Sequence, residues 1–184
     1  QSEKDVLGRR SAMSELAGIA KNENTSAEKK QKIYAAFRNV ILSDAYWRLR
    51  FNALQQLQSV LAPATGTKPV TLDEPTITTL LTVIKQEKAW LRTAAINFLG
   101  MTRDEKFADL YLNHFNDESE RVINAAANAL GRTKSPKAFD ALAKLPGKPS
   151  WKNQSLISAL NGLKELGDPR GVEIALKALS DRHS

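Results

Sequence analysis

Small and large apolar residues return along this chain at helical spacing, and five stretches share one pattern. They are Val6 to Leu16 (VLGRRSAMSEL), Trp47 to Leu57 (WRLRFNALQQL), Trp90 to Leu99 (WLRTAAINFL), Arg121 to Leu130 (RVINAAANAL) and Ser155 to Leu163 (SLISALNGL). In each, an alanine stands four residues before a closing leucine: Ala12 and Leu16, Ala53 and Leu57, Ala95 and Leu99, Ala126 and Leu130, Ala159 and Leu163. Successive alanines lie 41, 42, 31 and 33 residues apart. Residues four apart share one helix face, so a small residue there lets a neighbouring helix come close while the leucine fills the groove beside it. Apolar/polar alternation closed by Asn-Gly or Asp-Gly turns, the mark of β-hairpins, is absent.

A second helix is expected after each of these, over Ser26–Leu42, Leu72–Lys85, Asp104–Phe115, Ser135–Lys144 and Asp168–Leu179. Ser135-Pro136 and Asp168-Pro169 read as N-caps with proline in the first helical position, and Asp44 and Asp117 as caps of the helices that follow them. Gly131 and Gly167 fall where helices should end. Ala62 to Pro75 (APATGTKPVTLDEP) is expected as an inserted loop and Pro146 to Ser150 (PGKPS) as a tight turn. The reading is all-α: an α-solenoid of about five helical hairpins, near 3–42, 44–85, 87–115, 117–144 and 150–180, in a single repeat domain 1–184.

Composition narrows the function. The 184 residues include no Cys, which excludes a disulfide scaffold, a thiolate zinc site and a cysteine nucleophile. No apolar run approaches a membrane span, so membrane insertion is not expected.

The alanine–leucine rows, an arginine early in the first helix (Arg9, Arg50, Arg92) and the Asp168-Pro169-Arg170 element together resemble HEAT repeats. Hairpins four and five depart from the pattern, with Ile123 and Leu156 where the arginine would be. Asp44 to Arg50 (DAYWRLR), Ser150-Trp151 and Leu163 to Val172 (LKELGDPRGV) further resemble the carboxy-terminal helical region of bacterial alanyl-aminopeptidase-like zinc metallopeptidases. That resemblance implies a non-catalytic part of a larger enzyme, with the catalytic domain in cis, and an extracytoplasmic bacterial location. The family's His-Glu-x-x-His zinc motif is missing from this chain.

Groups for chemistry are sparse. The two histidines, His114 and His183, have no second imidazole at ligand spacing, so His114 reads as structural. There is no Gly-x-Ser-x-Gly and no phosphate-cradling glycine loop, and Asp104-Glu105 and Glu118/Glu120 read as helix-start charges. No catalytic, metal or cofactor residue is assigned; hydrolysis of aminoacyl-nitroanilides and stoichiometric zinc binding are not expected.

Two features invite binding. Trp47, Trp90 and Trp151 each open a first helix, where they suit packing between hairpins better than stacking on bases or sugars. The chain carries 27 Lys+Arg against 20 Asp+Glu, and Arg132, Lys134, Lys137, Lys144, Lys148 and Lys152 cluster with only Asp140 among them. This cluster is the candidate interaction patch. Its lysines suit a solvated face that keeps the array soluble, and the alternative is phosphate binding in the manner of helical DNA glycosylases with HEAT-like repeats. The expected partner is therefore a protein, in cis or in trans, with nucleic acid as the alternative.

Overall fold

The computed structural model describes residues 3–62, 68–86, 88–147, 150 and 153–180. The fold is all-α, with ten α-helices and no strand among the described residues. These gather into two compact units, 1–98 and 99–184, the cut falling inside the expected third hairpin.

The first unit holds α1 (Glu3–Lys21), α2 (Ala27–Ser43), α3 (Trp47–Leu61), α4 (Glu74–Ile84) and α5 (Ala89–Leu99, whose last residue opens the next unit). Helices α1, α2 and α3 pack on one another, and α4 packs on α2. Local chemistry sets their ends. Ser26 Oγ accepts from the Lys29 amide at 3.3 Å to start α2, and Asp73 Oδ1 accepts from the Thr76 amide at 3.1 Å to start α4, with Pro75 in the first turn. Leu49, Ala53, Leu54 and Leu57 of α3 are each 0% exposed. Burying one leucine of this kind contributes about 1.5–3 kcal/mol.

The arginines of the first helices act as ties. Arg50 Nε donates to the Ile41 carbonyl at 2.7 Å, near the end of α2, and the half-buried Arg9 pairs with the Asp44 carboxylate. Buried Arg92 donates to the Gln86 carbonyl at 3.0 Å, just past α4. Arg50 and Arg92 satisfy backbone acceptors at the end of the preceding helix, and Arg9 a carboxylate at the end of the following one.

The second unit holds α6 (Ala108–Asn113), α7 (Glu120–Thr133), α8 (Ala138–Lys144), α9 (Gln154–Leu166) and α10 (Gly171–Ser180). Its centre is α7 against α9. Ala125, Ala126, Ala127 and Ala129 of α7 are buried, and Asn124 Nδ2 donates to Ser158 Oγ across the contact at 3.3 Å.

Several sequence expectations shift. The alanine row is buried at Ala53, Ala95, Ala126 and Ala159, but Ala12 is exposed and α1 buries Met13, Ala17 and Ala20 instead. Apolar residues surround α1 on several sides (Leu7 and Ile19 are 56% and 49% exposed), which leaves its inward face weakly specified. Asp44, Asp117, Ser135 and Asp168 do not N-cap the helices expected to follow them. Each accepts from the amide two residues on, at Tyr46, Ser119, Lys137 and Arg170, and makes a turn from which the helix starts later. Pro136 and Pro169 therefore lie in those turns, outside α8 and α10. The expected helix over Asp104–Phe115 is broken into two 3₁₀ turns flanking the six residues of α6.

The two glycines part company. Gly167 does end a helix: it takes the left-handed conformation (φ +69°) at the C-cap of α9. Gly131 is inside α7, where a Cβ would strike the Gly162 carbonyl oxygen. It is a contact glycine, and the left-handed cap of α7 falls to Lys134 (φ +57°). Of the expected loop at 62–75, residues 63–67 lie outside the described residues, as do 148 and 149 of the expected turn at 146–150.

Candidate functional site: an aromatic cleft, an apolar helix face and a basic cluster

In the first unit, the starts of α1, α3 and α5 leave a cleft of about 470 Å³. Aromatic side chains dominate its wall: Tyr46, Trp47, Phe51 and Trp90, with Val6 and Leu7 from α1. Trp90 is 48% exposed and meets Phe51 edge to face, with ring centroids 6.1 Å apart and planes at 81°. Trp47 and Trp90 thus share one open wall, between the first helices of the second and third hairpins. Trp151 lies outside the described residues.

The polar lining is one-signed. Arg10, Arg48, Asn52 and Gln55 line the cleft, and among the described residues no carboxylate does. Both arginines are exposed, and the Arg48 guanidinium stands 5.5 Å from the centroid of the Trp47 ring, at cation–π distance. Asn52 Oδ1 is buried without a hydrogen-bond donor. Helix α3 opens on this cleft with no side-chain cap at Tyr46 and no acid in its first turn, so its positive end is uncompensated from within the helix.

In the second unit, α10 presents Val172, Leu176 and Leu179 on one face at the i, i+4, i+7 spacing of a buried stripe. They are 59%, 60% and 84% exposed, and α10 has no buried residue.

The candidate basic patch is largely consumed inside the second unit. Arg132 engages Glu165 with two nitrogens, each 3.2 Å from a carboxylate oxygen, and this hydrogen bonding holds the Glu165 carboxyl below the usual glutamate range. Lys134 donates to the carbonyls of Glu165 and Leu166, the latter at 2.6 Å, capping the C-terminal end of α9. Lys137 pairs with Asp109 at 2.7 Å. Lys144 is exposed on the last turn of α8, and Lys148 and Lys152 lie outside the described residues.

The remaining chemistry-bearing groups serve the fold. His114 Nδ1 donates to the Leu110 carbonyl at 2.8 Å, and His183 lies outside the described residues. Arg170 pairs with Asp168 at 2.6 Å and stacks 3.7 Å over the Phe139 ring, tying the turn before α10 to α8. Among the described residues no group of three or more His, Asp or Glu could hold a metal, and no helix is long and apolar enough to cross a membrane.

Residues 77–161 match the family of HEAT repeats. The match runs from within α4 to within α9. Such repeats are in general interaction scaffolds that present helix faces to partners. No curated protein matches the chain.

The sequence signals located the wall of the cleft only in part. The tryptophans and the early arginines were visible as residues, but the opening arises because α1, α3 and α5 bring Leu7, Phe51 and Trp90 together. Nothing in a single stretch signals that convergence.

Proposed function

We propose that the chain is a non-catalytic interaction domain whose α10 face docks on another protein body, and that it forms the carboxy-terminal helical part of a larger zinc-aminopeptidase-like protein. The observation that carries the docking is the exposed stripe Val172, Leu176 and Leu179, a buried-helix pattern that no described residue of its own unit covers. The second half of the proposal is supported by the sequence likeness at 44–50, 150–151 and 163–172.

The test uses the complete reading frame. A His-Glu-x-x-His motif is expected upstream, and amide exchange along α10 is expected to be slower in the full protein than in the 184-residue chain alone. Equal exchange in both sinks the docking. An upstream sequence without the motif sinks the aminopeptidase assignment but leaves the docking standing.

Phosphate binding is the weaker reading, because Arg132, Lys134 and Lys137 are held by partners within the unit. Anisotropy with a labelled duplex at two salt concentrations tests it: neutralising about four phosphates gives a log–log slope near −3.6.

A further inference from the structure

We propose that the α1/α3/α5 cleft is a binding site for an acidic peptide segment that seats one large apolar side chain against Trp47, Phe51 and Trp90. The inference is independent of α10 docking, since it rests on residues of the other unit.

Three observations converge on the occupant. First, shape and lining: the opening of about 470 Å³ is walled by aromatic rings and by Val6 and Leu7, a lining that favours a phenylalanine or leucine anchor over a polar group. Leu7 is 56% exposed and Trp90 is 48% exposed, so apolar surface at this place still faces water.

Second, charge: among the described residues the charged groups on the lining are Arg10 and Arg48, both cationic. Arg48 is the more telling. It stands in the first turn of α3, where a cation opposes the helix dipole and an acid would stabilise it. Its neighbour Arg50 is there to hold the Ile41 carbonyl, but Arg48 reaches no carboxylate or carbonyl among the described residues and rests over Trp47. A carboxylate bound at this corner would meet the guanidinium fork and the uncapped helix start together.

Third, the buried Asn52 Oδ1 lacks a donor, and a peptide N–H is the donor an extended segment brings. Single-stranded nucleic acid would also use rings and arginines. It needs a run of cations tracking its backbone, and among the described residues this cleft offers two.

The experiment is fluorescence polarisation on the 184-residue chain. Three labelled probes are used: a hexapeptide Glu-Asp-Phe-Leu-Asp-Glu, its charge-reversed form Lys-Arg-Phe-Leu-Arg-Lys, and a twelve-nucleotide oligothymidylate. The acidic peptide is expected to bind most tightly. Arg48→Glu is expected to weaken it by about tenfold and to bring up binding of the basic peptide, as charge complementarity requires. Because an acid in the first turn of α3 favours the helix, the Arg48→Glu chain keeps or raises its thermal midpoint, which separates lost binding from lost folding. Trp90→Ala is expected to weaken the acidic peptide by about fivefold through the lost anchor wall. Equal binding of the two peptides, or indifference of the acidic peptide to Arg48→Glu, overturns the proposal. So does oligothymidylate binding more tightly than the peptide and being lost in Trp90→Ala. Retained protection of α10 alongside any of these leaves the docking proposal intact.

Discussion

Helices α7 and α9 touch backbone to backbone, whereas α3 and α5, also first helices of their hairpins, meet through aromatic rings and leave a cleft. At the first contact Gly131 faces the Gly162 carbonyl, and a Cβ on Gly162 would lie 2.7 Å from the Ala127 carbonyl oxygen. At the second, Phe51 and Trp90 hold their centroids 6.1 Å apart. The repeat pattern is the same, but the glycines follow the row alanine in α7 and α9 while the rings precede it in α3 and α5. The glycines close their contact and make it structural, while the bulky rings prop theirs open and leave surface for a ligand.

The largest expected effect comes from breaking the closed contact. Gly131→Ala places a methyl against a carbonyl that belongs to helix backbone and cannot move aside, and should destabilise by about 3 kcal/mol. A urea midpoint unchanged from the parent would mean that α7 and α9 have room to separate. Ala126→Leu tests the alanine row itself. Ala126 is 0% exposed, and the larger side chain should cost about 1–3 kcal/mol by overpacking.

A third prediction sharpens the closed side by pH. The hydrogen bonds from Arg132 hold the folded-state pKa of Glu165 below its ordinary value. The stabilisation is therefore present above the unfolded carboxylate range, near pH 4.3, and is lost as pH falls through the lower folded value. Glu165→Gln should lower the denaturation midpoint at neutral pH and flatten its fall below about pH 4. An acid limb identical to the parent's would detach this pair from stability.

On the open side the effect should be smallest. Trp90→Leu keeps an apolar side chain at a half-exposed position and forfeits one edge-to-face contact, so the thermal stability should fall by no more than about 1 kcal/mol. A loss as large as that of Gly131→Ala would show that the rings are core and that the cleft is no opening.

The helical class and most of the alanine–leucine row were legible because spacing alone decides them: Ala53, Ala95, Ala126 and Ala159 all turned inward. The row failed at Ala12, where apolar residues ring α1 and one-residue slips are cheap. Gly131 and Gly167 look alike in sequence, each near a helix end, yet one is a contact and the other a left-handed cap. Only the neighbouring helix distinguishes them. The basic patch misled in a related way. A run of lysines and arginines says how much charge is present, while Glu165, the α9 carbonyls and Asp109 decided that Arg132, Lys134 and Lys137 are already engaged.

The ties made by Arg50 and Arg92 have a consequence for synthesis. Each reaches back along the chain, Arg50 by nine residues to Ile41 and Arg92 by six to Gln86. In these two the acceptor leaves the ribosome before its arginine does, whereas the Arg9 tie waits for Asp44. Short-range closures of this kind form quickly and at small entropic cost. Helices α3 and α5 can thus each fasten to the end of the helix made just before them as they emerge.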